Sequence, residues 1–546
     1  MSESRTPLLS VITALDRPAL DALSHSIESV LAQTFADWEL ICVIRDGDGE
    51  PRPDGGGADD GIRSLLGAAA AGDPRIRIVE TGGPSDAAAC NAGLHAARGQ
   101  FIALLDQDGL LTPDALGAVA EAVELQPDLD YLYTDEATLA ADGRGHHEFR
   151  KPDWSPERLR HNMYTGHLSV LRTALAREVG GFRPDVDGSH EHDLVLRLTE
   201  RSRRITHLPQ VLYRQPDQPV GAAQTDSAES AARLRAWQAG RRAVQEHLDR
   251  TGAGSGVRAV AQLGRLPGFY RVRRELGPDL ARQRVSIVIP TRGQSGLVWG
   301  QRRCFVVDAV ASALRATALP DVEVVVVYDD DTPAEVIQRL REIAGARLVE
   351  VPFSGEFNFS QKCNLGFLRA GGDVIVLLND DVEVRSDGWL ERLLPALAEP
   401  DVGLVGARLL FADGTIQHAG HAYADTTWHH PYHGFVDDEP GSFGDLIVNR
   451  ECSGVTAACA ALRRDVYERV GGLSEQLPVN FNDVDLSLKI RRAGYRVLWI
   501  ADCELYHFES RTRDRSVGDD EIDVLRRRWG YIAQDPFLPD SASWRR

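Results

Sequence analysis

The chain has 546 residues, with 61 Lys+Arg against 81 Asp+Glu for a net charge of −20, and it is 43% hydrophobic and 26% charged. That length exceeds one ordinary core, and that balance excludes wholesale disorder, a collagen-like repeat and a disulfide-knotted miniprotein. The acidity also speaks against nucleic acid as a partner, because neutralising phosphates needs a positive surface.

Seven scattered cysteines with no CxxC pair predict neither a disulfide framework nor a zinc site, and they fit a reducing compartment. The apolar run LLSVITAL (Leu8 to Leu15) falls short of the roughly 18 residues a membrane span needs and reads as a strand. A second strand, WELICVIRD, ends at Asp46, and a third is IRIVE. Then comes NAGLHAARGQFIALLDQD, Asn91 to Asp108, and later GGF followed by HEHDLVLRL. Residues 216 to 283 are rich in Ala, Arg, Gln and Gly, with a helix predicted near 226 to 249, and read as a linker.

Beyond the linker the pattern starts again. SIVIPT (Ser286 to Thr291) opens the second copy, VEVVVVYDD and ARLVEV follow, and NLGFLRAGGDVIVLLNDD spans Asn364 to Asp381. Fifteen residues separate Asn91 from Asp106, and fifteen separate Asn364 from Asn379. GGL and NDVDLSLKI complete the second copy, which is lengthened by a first-turn insertion, Gln294 to Arg303, and by a His-rich stretch from Thr415 to Asn449. Two copies of one α/β domain with a mostly parallel sheet account for most of the chain.

Asp-x-Asp alone means little in so acidic a chain, but Asp106-Gln107-Asp108 and Asn379-Asp380-Asp381 each follow a hydrophobic strand, at the carboxyl end where open α/β sheets place ligands. Paired oxygen donors there suit a hard divalent cation completed by substrate phosphates. In HEHDLVLRL and NDVDLSLKI, Glu191 and Asp483 are free to act as general bases, while Asp193 and Asp485 read as helix caps. His507 and the arginines Arg511 and Arg513 could complete a metal shell and clamp a diphosphate, with His207 as the poorer counterpart in the first copy. His418, His421, His429, His430 and His433 lack regular ligand spacing and read as acceptor-facing loop residues rather than a metal site.

These motifs resemble the family 2 glycosyltransferases, specifically the bacterial tandem-domain type of O-antigen, rhamnan and other surface polysaccharides. KPDWSPERL, MYTGHLSVLR, VSIVIPTR, FNFSQKCNLG, LLNDDVEV, DGTIQHAG, FNDVDLSLKIRRAGYRV, ELYHFES and RRRWG carry the resemblance over nearly the whole chain. It implies two tandem GT-A domains (Rossmann-like, nucleotide-diphospho-sugar transferase type), residues 1–215 and 284–546, joined by a helical linker, 216–283, with a C-terminal helical tail. It implies that Pro290, Thr291 and Asp329 or Asp330 surround the nucleotide base and ribose, that Lys362 and Asn364 lie beside the nucleotide, and that Asp380 approaches sugar or ribose. Asp381 and His507 would hold Mg2+ or Mn2+, Asp483 would be the base, and Arg511 and Arg513 would face the diphosphate.

Asp46, Asn91, Asp106, Asp108 and Glu191 are the first copy's equivalents, with Asp108 as its metal ligand and Glu191 as its base, although Thr13-Ala14 stands for Pro290-Thr291 and no basic residue precedes Asn91. The expected activity is inverting sugar transfer from a UDP-, dTDP- or GDP-linked donor to a glycan or lipid-linked acceptor, in the cytoplasm and peripherally at the inner membrane face. Two other readings stay open: one active copy beside a carbohydrate-binding or scaffold copy, and a nucleotidyltransferase, against which the lack of a Gly-rich, Lys-bearing triphosphate loop counts.

Overall fold

The computed structural model describes residues 6–45, 57–83, 85–139, 146–216, 227–252, 254, 256–278, 280–508 and 519–545. The chain divides into two compact units, the first comprising Met1–Trp154, Leu159–Thr251 and Ala261–Arg271, the second Ser155–Arg158, Gly252–Val260 and Val272–Arg546.

In the first unit the main strands are β1 (Leu9–Leu15), β2 (Trp38–Arg45), β3 (Ile76–Thr81), β4 (Phe101–Leu104), β5 (Leu110–Leu111), β6 (Tyr131–Leu139), β7 (Ser169–Arg172) and β8 (Ile205–Pro216). They lie in the order β3-β2-β1-β4-β7-β6-β8-β5. In the second unit they are β9 (Val285–Thr291), β10 (Val322–Asp329), β11 (Leu348–Phe353), β12 (Val374–Leu378), β13 (Val382–Val384), β14 (Val402–Leu410), β15 (Cys459–Arg463) and β16 (Arg496–His507), in the order β11-β10-β9-β12-β15-β14-β16-β13. The two paths are one topology: four parallel strands, an antiparallel strand, a parallel pair and an antiparallel edge.

The apolar runs explain the buried sheets. Every residue of β9 is buried, and in β10 Val324 and Val326 join one hydrophobic cluster while Val325 and Val327 join another. Both faces are covered, as expected of continuous Val/Ile strands that are parallel. Each fully buried Val is worth roughly 1.5–3 kcal/mol.

The copies agree down to single atoms. Ser10 Oγ donates to Glu39 and accepts the Gly99 N–H, and Ser286 Oγ donates to Glu323 and accepts the Gly372 N–H. Helices α1 (Asp86–Ala96) and α4 (Phe359–Arg369) are capped by Ser85 and Asn358, six residues before Asn91 and Asn364. Two more matching helices are α2 (His190–Arg201) and α5 (Asn482–Arg492).

The helix expected in the linker is α3 (Ser227–Thr251), which packs on the first unit, with Glu246 paired to Arg183 and His247 to Glu200. The same stretch also holds a two-stranded sheet, Val257–Leu263 with Tyr270–Leu276, which its composition did not announce. The insertion at 294–303 forms a hairpin, Ser295–Val298 with Gln301–Cys304, whose turn residue Trp299 packs edge-on against Tyr506 and Phe508.

Candidate functional site

In the second unit the site is built at the carboxyl ends of β9, β10 and β12. Thr291 Oγ1, at the end of β9, donates to Asp380 Oδ2 at 2.6 Å. Lys362 Nζ, fully buried on α4, donates to the Thr291 carbonyl at 2.9 Å and pairs with Asp329 Oδ1 at 2.5 Å. Asp330 turns away to accept from Ser354 Oγ, so of the two acids at the end of β10 it is Asp329 that joins this cluster. Burial, together with the charge of Asp381 alongside, pushes Asp380 up to about 7 despite its bond from Thr291.

At the end of β16, His507 Nδ1 faces Gln417 Oε1 at 2.7 Å. Gln417 Oε1 therefore accepts the Nδ1–H hydrogen bond, which leaves the Nε2 lone pair facing Asp381 Oδ1, 3.1 Å away, and Asn379 Nδ2, 3.1 Å away. A carboxylate oxygen and an imidazole nitrogen this close, beside a second acid with an elevated pKa and a buried Asn379 Oδ1 that has no hydrogen-bond partner, are a donor set that fits Mn2+ or Mg2+.

Asp483 sits in the first turn of α5, where its Oδ1 accepts the Val484 N–H at 2.8 Å and its Oδ2 the Ala457 N–H at 3.3 Å. It lines a cavity of about 330 Å³ together with Asn379, His418, His421, His430 and His507.

The first unit has the same frame with different chemistry. Aligned on Ser10 and Ser286, Leu15 stands where Thr291 does and Arg45 where Asp329 does, so the expected match of Thr13-Ala14 to Pro290-Thr291 is off by one residue. Arg45 is paired with Asp16 and Asp86, inverting the charge of that corner. Ala89 replaces Lys362, and Gln107 replaces Asp380. The edge registers, Leu110 to Arg214 and Glu383 to Tyr506, make Gln215 the counterpart of His507. His207 is not that counterpart; it lies between Asp135 and Asp153, 2.9 Å from each.

By the pairing of β4 with β7 and of β12 with β15, His167 occupies the place of Ala458, a residue that lines the second unit's cavity. His167 bridges Asp106 Oδ2 at 3.0 Å and Glu136 Oε2 at 3.2 Å. Burial alone would pull this histidine down, but its hydrogen bonds to the two acids outweigh that and hold it up at about 10, so the imidazolium neutralises the strand-end acid. Glu191 is raised, by burial first and then by the charge of Asp106. Asp108 keeps its position after β4.

A family model described as glycosyl transferase family 2 matches residues 11–178 and again 286–471. The chain belongs to this family. Its two α/β units are tandem GT-A domains, and membership sets the nucleotidyltransferase reading aside. An uncharacterised protein of Sinorhizobium fredii, y4gI, is 36% identical over 96% of this chain and 56% of its own length. The O-antigen biosynthesis protein RfbC of Myxococcus xanthus is 35% identical over 98% of this chain and 40% of its own. The chain thus spans about half the length of these curated relatives. S. aureus TarS 1-349 in complex with UDP-GlcNAc is 16% identical, with a TM-score of 0.32 over 45% of this chain and 74% of that one.

Several site expectations take a different form. Asn364 is saturated inside the fold: its Oδ1 accepts from Leu473 N and Tyr467 Oη, and its Nδ2 donates to Leu473 O and Glu475. Asn91 likewise exchanges two hydrogen bonds with Phe182. Both clamp the Gly-Gly turn in front of α2 or α5 instead of offering an amide to a nucleotide. Asp485 and Asp193 are buried ion-pair anchors rather than caps, the first holding Trp529 and Arg528 of helix α6 (Asp519–Trp529), the second Arg183 and Arg197. Asp46, Arg511 and Arg513 lie outside the described residues. Sequence reasoning noted the segments that hold Gln417 (DGTIQHAG) and His167 (MYTGHLSVLR) but gave neither residue a role. Among the described residues no helix is long and apolar enough to cross a membrane.

Proposed function

We propose that the chain is an inverting, metal-dependent glycosyltransferase of surface polysaccharide synthesis, and that its second domain performs the transfer. The donor is a nucleoside-diphosphate sugar and the acceptor a hydroxyl of a glycan or lipid-linked glycan, the latter favouring a cytoplasmic enzyme touching the inner membrane face. One observation carries this reading: Asp381, His507 and Asp483 converge in the second domain, whereas Gln215 and the His167 imidazolium stand in the first. The similarity to an O-antigen biosynthesis protein supports the polysaccharide setting.

Asp483 takes the proton of the acceptor hydroxyl as that oxygen forms a bond to the anomeric carbon of the donor. The bond from that carbon to the diphosphate breaks on the opposite face, its electron pair leaves with the diphosphate, and the configuration inverts. Asp381 and His507 would hold Mn2+ or Mg2+, which supplies positive charge to the departing diphosphate. Arg511 and Arg513 would add to it. Lys362 and Thr291 hold Asp329 and Asp380 in place around the nucleotide and sugar, with Pro290 at the same strand end. In the first domain, the retained Asp108 and Glu191 lack this company, which favours a binding or scaffolding role for that domain.

Asp483→Asn tests the base. Its transfer rate should fall by about 10²–10⁴-fold with donor affinity retained by calorimetry; a folded variant that transfers at the wild-type rate contradicts the assignment.

A further inference from the structure

Five histidines of the His-rich stretch line the cavity, and three of them, His418, His421 and His430, place one nitrogen each within 4.8 Å of the others. Such spacing invites a metal, and the hydrogen bonds decide against it. The Thr456 backbone N–H, an obligate donor, points at His418 Nε2 at 3.1 Å. His418 Nε2 is therefore a lone pair and its proton sits on Nδ1, 2.8 Å from His430 Nδ1. Coordination through His418 Nδ1 would move that proton to Nε2, against the Thr456 N–H. Burial also holds both His418 and His421 below the ordinary imidazole range, which keeps them neutral.

The chain of donors runs in one direction. His430 accepts at Nδ1, so its own proton is on Nε2, and the residue lines the cavity that contains Asp483. His421 approaches from a second side. Its backbone is pinned by a 2.7 Å bond to Gly454 O, its ring is 3% exposed, and its Nε2 stands 3.9 Å from Asp483 Oδ2. That gap is too long for a direct hydrogen bond, yet one oxygen atom can lie within about 2.8 Å of both groups.

We propose that His421 and His430 form an acceptor-sugar subsite, in which His421 Nε2–H and Asp483 Oδ2 hold the reacting hydroxyl between them and His430 Nε2–H donates to a neighbouring oxygen of the same sugar. His418 is a positioning residue, fixing the tautomer of His430. The inference rests on the reading of Asp483 as the base and names the ligand chemistry of its pocket: a neutral glycan with adjacent oxygens, gripped by uncharged donors.

The test uses the full chain with the nucleotide sugar it turns over and a panel of methyl glycosides as acceptor probes, with binding followed by saturation-transfer NMR and transfer by product formation. His421→Ala and His430→Ala should each raise the KM for the bound glycoside about three- to tenfold, the loss expected for one hydrogen bond, with the donor KM unmoved. His430→Gln, which keeps a donor, should recover part of the loss. An unchanged glycoside KM in both alanine variants overturns the proposal, as does a wild type that turns over donor yet binds none of the glycosides. One Zn2+ per chain in equilibrium dialysis, lost in His418→Ala, overturns it in favour of a metal site. A wild type that turns over no nucleotide sugar at all defeats the proposed function itself, and the inference with it.

Discussion

Lys362 is fully buried, and burial would strip its charge if Asp329 and the Thr291 carbonyl did not hold it. Its ammonium also sits over the rings of Phe353 and Phe357, whose faces give the buried charge further support. Lys362→Met should cost about 1–3 kcal/mol in urea unfolding, because Asp329 loses its close partner. The same variant should raise the donor KM if Asp329 faces the nucleotide. In the first domain the equivalent corner runs on Arg45, so Arg45→Met should leave donor KM alone. Of these residues the strand-end acids were legible from spacing, since the interval from Asn91 to Asp106 equals that from Asn364 to Asn379. The partner of each was not: whether an acid faces a lysine or a histidine depends on contacts some 30 to 130 residues away, such as Asp329 with Lys362 and Asp381 with His507.

At the scale of elements, the helix that follows the third strand presses on the first strand of each sheet through a glycine. A Cβ on Gly366 would meet Val288 Cγ1 at 2.5 Å, and one on Gly93 would strike Ile12. Gly366→Ala and Gly93→Ala should each destabilise their own domain by about 1–3 kcal/mol through overpacking, readable as local loss of hydrogen-exchange protection in β9 or β1. The Gly-Gly turns are constrained differently: Gly181 and Gly472 have φ of 65° and 62° and lie against the side chains of Asn91 and Asn364. This is why those asparagines recur at matched positions. The repeat was readable in the sequence and their role was not, because a clamp on a distant turn and a contact to a nucleotide leave the same spacing. The hairpin at 295–304 was visible only as extra length; Trp299 at φ 49° and Gly300 at φ 76° form its turn.

Across the whole molecule the two domains share a frame and differ in charge logic, which has a consequence for pH. The folded pKa of His167, about 10, lies above the ordinary 6.5, so its contribution to stability is complete below 6.5 and is lost as pH rises from 6.5 through 10. For Glu136, burial pushes upward, but the Lys151 charge and the hydrogen bonds win and set it at about 2 against 4.5; its contribution is complete above 4.5 and is lost as pH falls through 2. Exchange protection of β6 should therefore fall between pH 7 and 10 once intrinsic rates are corrected, and His167→Gln should flatten that fall. A pH-independent β6 in the wild type would contradict the ion-pair account. The tandem architecture and the fold class were legible because period, strand runs and acids repeat together. The proposed division of labour was not, since it turns on substitutions such as Gln215 for His507 that only strand register aligns.

The most direct test of that division is nucleoside diphosphate release from a panel of nucleotide sugars with Mn2+ or Mg2+, comparing wild type, Asp381→Ala, Asp108→Ala and the double variant. The account predicts that Asp381→Ala abolishes release for every donor while Asp108→Ala retains it. Loss of one donor in each variant would contradict it and establish two working sites.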